Sequence, residues 1–339
     1  MKFQPLPIAE QKDWQSQLRN VIKSSDELLH RLDLNAQDCS VNRDTIAGFE
    51  LRVPEAFVKR MQRGDPKDPL LLQVMLKPEE VLNVAGYSID PVGETGEANP
   101  ISGLIHKYHG RVLLVVTSGC AIHCRYCFRR HFPYSDNRNS RQEWRSALYY
   151  ISQHKEISEV ILSGGDPLMV SDSHLHDLVE QIAEIPHVTR LRVHSRLPIV
   201  IPDRVTHGLV EALTHRKLQT VVVVHSNHAN EIDSTVDDAM QNLIGAGMTL
   251  LNQSVLLKNI NDNAEALIAL SERLFQAGVL PYYLHLLDKV HGAAHFAVTQ
   301  THALDLHREM TQALPGYLVP KLVKEVAGET SKTAVYAGQ

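Results

Sequence analysis

Beyond residue 100 the chain alternates between short apolar runs and longer segments with helical spacing. The runs are RVLLVVT (111–117), EVILSGG (159–165), RLRVHSR (190–196), QTVVVVH (219–225), TLLNQSVLL (249–257) and LPYYLHLL (280–287), with a last one, YLVPKLVKEV (317–326). Most are continuous in Val and Leu rather than alternating with polar residues, as expected of parallel strands covered on both faces. Intervals of roughly 30 residues leave room for one strand and one crossover helix per unit. Six or seven such units predict an α/β fold, a full or partial barrel, with a doubly wound sheet as the alternative.

The first hundred residues have another texture. Polar-faced helical spacing predicts helices over 8–32 and 55–63, and DPVGETGEANPISG (90–103), rich in Gly, Pro and Glu, predicts a connecting loop. The expected organisation is a mostly helical N-terminal extension over 1–100 followed by a (β/α) core over 101–335.

Composition adds limits. With 43% apolar and 22% charged residues the chain is of the soluble globular type, and a net charge of −5 gives no general affinity for nucleic acid. The first twenty residues, MKFQPLPIAEQKDWQSQLRN, lack the apolar core of a signal peptide. No apolar run approaches the roughly 20 residues that cross a bilayer. A cytoplasmic location, with no membrane partner and no direct nucleic-acid partner, is the expectation.

In barrels, chemistry gathers at the C-terminal strand ends. Gly164, Gly165 and Asp166 follow the second run, His194 and Arg196 end the third, His225 and His228 follow the fourth, and Asp288 follows the sixth. After the first run comes SGCAIHCRYCFRRHFPY (118–134), holding three of the four cysteines, Cys120, Cys124 and Cys127. Soft thiolates select iron–sulfur clusters or zinc. Three thiolates hold a four-iron cluster by three corners and leave one iron open to a small molecule. A Cys3His zinc site completed by His123 or His131 is the other reading of this spacing. In LSGGDP (162–167) two glycines at a strand end let the backbone approach a ligand closely, or else form an ordinary turn.

The C-x3-C-x2-C spacing with Tyr126 before the last cysteine resembles the signature of radical S-adenosylmethionine enzymes. The resemblance implies a partial (β/α)6 barrel, a [4Fe-4S] cluster on Cys120, Cys124 and Cys127, and S-adenosylmethionine on its open iron. It also implies cofactor contacts from Tyr126, from Gly164, Gly165 and Asp166, from His228 in HSNHANE (225–231), and from Gln253 in LNQSVLL (251–257).

Longer stretches, among them HKYHGRVLLVV, RLPIVIPDRVT, LNQSVLLKNIND, PYYLHLLDKVHGAAHF and GYLVPKL, resemble the lysine 2,3-aminomutases, in particular the branch whose (R)-β-lysine is attached to elongation factor P. This family also uses pyridoxal 5′-phosphate, held covalently by a lysine that matches Lys332. Lys107, Tyr108 and Arg111 match the residues that cradle its phosphate. Arg129 matches the arginine that grips the substrate carboxylate, a task suited to a bidentate guanidinium. Asp288 and Glu325 match two acids that receive the ε-ammonium of L-lysine. The implied partners are L-lysine, a reductant protein such as flavodoxin or ferredoxin, and, functionally, elongation factor P with its lysyl-transferring ligase. Glu325 stands for an Asp of the larger family members, Lys107 for an Arg, and GETS (328–331) for a glycine run. Their zinc-binding C-terminal extension is not expected here. The competing readings are a radical enzyme acting on RNA or a peptide, and a non-catalytic zinc module.

Overall fold

The computed structural model describes residues 13–39, 49–134, 137 and 141–336. Among the described residues nine strands form one sheet in chain order: β1 (Leu104–Tyr108), β2 (Arg111–Thr117), β3 (Glu159–Gly164), β4 (Arg190–Ser195), β5 (Gln219–Val224), β6 (Thr249–Val255), β7 (Leu280–His285), β8 (Lys321–Lys324) and β9 (Thr333–Ala334). β2 to β8 run parallel. β1 and β9 pair antiparallel at the two edges. A helix follows each strand from β2 to β7: Arg141–Gln153, Asp172–Ala183, His207–Leu213, Ser234–Gly245, Ala264–Gln276 and Gln300–Ala313. These six β/α units make a partial (β/α)6 barrel.

Local chemistry accounts for the helices. Ser171, Asp233, Asn263 and Thr299 cap four of them by accepting backbone N–H groups of the first turn. The Asp172–Ala183 helix then buries Leu175, Leu178, Val179 and Ile182, one face at helical spacing, against the sheet.

Every apolar run of the sequence contains a strand, but β1 and β9 have no counterpart among them. The β1 segment LIHKY turns polar after two residues, and β9 is only two residues long. The helix expected over 8–32 begins outside the described residues, and its described part breaks into Trp14–Arg19 and Ser25–Arg31. Between them Ile22 exchanges both backbone hydrogen bonds with Val53, at 2.8 and 3.0 Å, and Ser24 caps the second helix. The helix expected over 55–63 ends at Val58, beyond which Arg60 and Met61 make tighter i→i+3 bonds. Among the described residues no helix is long and apolar enough to cross a membrane.

The described part of the first hundred residues packs into the same core as the barrel. Ile22, Leu28, Phe57, Leu70 and Met75 join Leu114, Val160, Val193 and Val222 in one apolar cluster. A buried ion cluster ties the two parts together. Glu80 accepts from Arg125 Nε at 3.0 Å and from Arg130 Nη2 at 2.7 Å, all inside the core. Burial raises the Glu80 carboxyl pKa, but the two arginines overcome this and hold it below its usual range. Glu80→Gln keeps the shape and leaves two buried cations unbalanced. It should cost about 3–5 kcal/mol of unfolding free energy, read as a lower denaturant midpoint at unchanged slope.

Candidate active site

The strands curl around one cavity of about 440 Å³ at their C-terminal ends, a size suited to small-molecule sites. Every site residue expected from the sequence lines it except His228. That residue caps the turn Ala229–Glu231, its Nδ1 accepting from Asn230 N–H at 3.2 Å. From the same loop it is His225 and Asn227 that face inward.

The three thiols lie on the loop after β2, free of disulfides. The N-terminal extension braces this loop from beneath: His123 N–H donates to Arg52 O at 3.0 Å and Arg125 N–H to Gln73 O at 2.9 Å. Arg196, at the end of β4, donates to Cys124 Sγ and to Tyr126 Oη, each at 2.7 Å. Its other amino group reaches Glu231 at 2.9 Å and Gln73 at 2.6 Å. Burial raises the Cys127 thiol to about 11, helped by Cys124, and raises Cys120 as well. Metal-free, Cys120 and Cys127 hold their protons at neutral pH, so binding a metal centre there releases protons. Among the described residues no group of three His, Cys, Asp or Glu side chains converges on a single-ion site.

The glycines after β3 serve this loop. Gly164 has φ +122°, and a Cβ there would stand 2.5 Å from Thr117 O. A Cβ on Gly165 would collide with Gly119 O and stand 2.7 Å from Ser118 O. Gly165 N–H donates to Thr117 O at 2.7 Å, and Asp166 N–H to Gly119 O at 2.8 Å. The close approach expected of the two glycines is thus made to the cysteine loop's own backbone. Asp166 is buried, and its carboxylate accepts from Ser195 Oγ (2.7 Å) and from the backbone N–H groups of Arg196 (2.8 Å), Leu197 (3.0 Å) and Leu168 (3.1 Å). It joins the loops after β3 and β4, and an ammonium group would add to bonds already made.

Also on the cavity wall, Glu325, just after β8, collects three donors. Oε1 accepts from Lys107 Nζ at 2.7 Å and from the Tyr108 hydroxyl, and Oε2 from Lys332 Nζ at 2.8 Å. The hairpin β8–β9, with Lys324 opposite Thr333, sets Glu325 beside Lys332. Burial raises the Glu325 pKa, but Lys332 and Lys107 hold it down at about 2. Asp288 lies nearby, and burial pushes it up to about 7 against the pull of Lys332. Arg111 stacks over the Tyr108 ring with 4.6 Å from Cζ to the centroid.

Arg129 is not free. Glu94 accepts from its Nε at 2.6 Å and its Nη2 at 2.7 Å, and Nη1 donates to Ser163 Oγ at 2.9 Å and Gly164 O at 3.3 Å. The bidentate partner expected to be a substrate is an internal acid from the 90–103 loop. One of the five guanidinium hydrogens remains for a ligand. Three histidines, the buried His285 and the half-buried His194 and His225, also line the wall. Burial holds all three neutral, His225 at about 3. Gln253 Nε2 lies 3.2 Å from His225 Nε2. Sequence reasoning missed Glu94, Gln73, Asn227, Glu231 and His285. Only the placement of some of them near strand ends could have flagged them.

Comparison with known proteins follows the same lines. A family model described as a 4Fe-4S single cluster domain matches residues 108–190, which contain the three thiols. The chain is 51% identical to the L-lysine 2,3-aminomutase of Escherichia coli (strain K12), over 97% of this chain and 96% of that one. It is 48% identical to the enzyme of the same name from Haemophilus influenzae, over 96% of each chain. The chain belongs to the L-lysine 2,3-aminomutase family. The Clostridium subterminale member is 33% identical over 98% of this chain and 80% of that one. Among solved structures, Streptococcus suis SuiB bound to S-adenosylmethionine aligns at 14% identity and TM-score 0.46, over 65% of this chain and 51% of that one.

The cofactors of the aminomutase family are a [4Fe-4S] cluster, S-adenosylmethionine and pyridoxal 5′-phosphate, and the residues fit them. Three unpaired thiols with cationic neighbours suit the cluster, while Lys332 with the donors Lys107, Tyr108 and Arg111 suits an aldehyde bearing a phosphate. His194 Nε2 and His285 Nε2 are buried with no hydrogen-bond partner among the described residues, as befits walls made for a polar occupant. Gly165→Ala should displace the Cys120 loop at a cost of about 1–3 kcal/mol. Iron and sulfide analysis after anaerobic reconstitution should then show lower cluster content.

Proposed function

We propose that this chain converts L-α-lysine to (R)-β-lysine by a radical shift of the amino group. The observation that carries the reading is the shared cavity: three free thiols, Lys332 with its two acids, and Arg129 all face one enclosed space. A guanidinium from Arg129 and two carboxylates from Glu325 and Asp288 on one cavity suit a diamino acid with a terminal carboxylate and a distal ammonium.

When bound, the cluster and S-adenosylmethionine supply the electron and the 5′-deoxyadenosyl radical, and pyridoxal phosphate supplies a π system that spreads the unpaired electron. The chain's own part is to place and to shield. The last free Nη2 hydrogen of Arg129 meets the substrate carboxylate, with Glu94 and Ser163 fixing the plane of the guanidinium. Glu325 and Asp288 set the distance to the ε-ammonium. Phe49, Ile122, Val255 and Leu287 line the space with apolar surface that keeps water from a reactive carbon centre. Neutral His194, His225 and His285 add no charge that would compete for either end of the substrate.

The reading extends to a reductant protein such as flavodoxin or ferredoxin, to a cytoplasmic location, and to β-lysine made for elongation factor P through its lysyl-transferring ligase. Support comes from the match in length to the Escherichia coli relative and from the stretches shared with the elongation factor P branch.

Anaerobic incubation with L-lysine, S-adenosylmethionine and a reductant, followed by chiral amino-acid analysis, tests the proposal. (R)-β-lysine is expected, and no rearranged lysine would refute it. Lys332→Ala should keep the cluster and the cleavage of S-adenosylmethionine yet form no β-lysine. The ammonium seat needs Asp288 ionised, and a carboxyl raised to about 7 is protonated below that pH. Lysine affinity should therefore rise with pH through about 7 and fall on acidification, and Asp288→Asn should flatten that profile in calorimetric titrations.

A further inference from the structure

Two sets of ligand contacts assigned to this site compete for one side chain. Lys107 and Tyr108 are the proposed cradle of the cofactor phosphate, and Glu325 is a proposed seat for the substrate ammonium. In the structure these groups bond to one another: the Tyr108 hydroxyl and Lys107 Nζ both donate to Glu325 Oε1. Lys332, the proposed cofactor lysine, donates to Glu325 Oε2. A tyrosine hydroxyl has a single hydrogen to give. While Tyr108 donates to Glu325 it cannot donate to a phosphate. Lys107 spends a second hydrogen on Val92 O at 2.9 Å, which leaves it one. A phosphate brought here would also face the Glu325 carboxylate across low-dielectric surroundings, and like charges repel strongly there. The side chain of Glu325 is only 9% exposed, so water does little to screen it.

Resting on the aminomutase reading above, we infer that Glu325 serves two occupants in turn: it holds Lys107, Tyr108 and Lys332 while the cofactor is away, and the substrate's distal ammonium once the cofactor has taken them. The internal carboxylate stands in for the phosphate, keeping three donors gathered and their charges balanced. Arrival of the cofactor draws Lys107 and Tyr108 to the phosphate and Lys332 to the aldehyde, and Glu325 is left short of cations. The ε-ammonium of lysine makes good that deficit, so the seat for the substrate comes into being only on the loaded enzyme. Asp288, close enough to feel both Lys332 and Glu325, shares the incoming charge.

The inference predicts opposite signs for two ligands in a single variant. Glu325→Gln, in the cluster-reconstituted full chain without S-adenosylmethionine, should bind pyridoxal 5′-phosphate about fivefold more tightly than the unmodified chain, equivalent to roughly 1 kcal/mol. Once loaded, it should bind 6-aminohexanoate about tenfold more weakly, as expected for loss of a charge-assisted contact. This probe has the distal ammonium and the carboxylate of lysine but no α-amino group, so it cannot join the cofactor through Cα as the substrate does. A merely structural role for Glu325 would weaken both ligands, and cofactor binding equal to or weaker than that of the unmodified chain overturns the inference. Failure of the unmodified chain to bind pyridoxal phosphate, or to form a borohydride-fixed adduct at Lys332, would instead defeat the aminomutase reading itself. Should the variant not fold, the unmodified chain decides. Its affinity for 6-aminohexanoate should rise about tenfold on loading with pyridoxal phosphate, and an affinity that stays the same or falls overturns the inference.

Discussion

Glu325 joins the two edges of the sheet. An open barrel has two strand edges with unpaired backbone groups, and such edges normally have to be covered or closed. Here each edge is finished by a short antiparallel strand, β1 on one side and β9 on the other. The remaining gap is bridged by side chains: Lys107 and Tyr108 from β1 meet Lys332, which directly precedes β9, across one carboxylate. The two edges thus meet through a charge cluster, and that cluster sits where ligands are expected. Hydrogen bonds between backbones would have sealed the barrel permanently. Ion pairs that can exchange partners close it while leaving a place that accepts a charged occupant.

A second constraint acts at the thiols. Arg125, Arg130 and Arg196 gather around the cysteine loop, and each is matched by a buried acid, Glu80 or Glu231. Arg125 and Arg130 also stand over the Phe49 ring, at 4.6 and 4.8 Å. Removing any acid would strand a cation in the core, whereas the pairs as they stand present the loop with fixed donors and little net charge. Since Phe49, Gln73 and Glu80 all come from the first hundred residues, that segment is a working part of the site. It carries the floor on which the thiol loop is held.

How far the sequence shows this depends on the range of the interaction. The parallel strands were legible because burial on both faces demands unbroken Val and Leu, a signal confined to six or seven neighbours. The cysteine loop was legible because its ligands are spaced for one another within eight residues. β9 was not, since two residues paired across a hairpin leave no periodicity, and Lys332 stands in a polar segment that only family resemblance could single out. The helix expected across 20–24 failed to form because Ile22 finds its backbone partner at Val53, a tertiary bond that local spacing cannot express. Glu94 and Arg129 lie 35 positions apart, and Gln73 and Glu231 lie 158 apart, so neither pair leaves a local trace. Gly164 and Gly165 were read for close backbone approach, and within the chain that approach is made to the cysteine loop. Their missing Cβ atoms make room for the cysteine loop's backbone.

The histidines bear on what the cavity is for. Leaving a buried polar atom without a partner costs about 1–3 kcal/mol, and both His194 Nε2 and His285 Nε2 are in that position. An apolar side chain at either place would avoid that cost and still exclude water. Their presence makes sense when the loaded cavity contains polar atoms that they meet, and their neutrality keeps them from competing with Arg129 or with Glu325 for charge. Charged groups line much of the cavity, among them Arg111, Arg192, Arg196 and Asp166. Neutral imidazoles among them offer a migrating amino group a partner that bonds to it without adding a further charge.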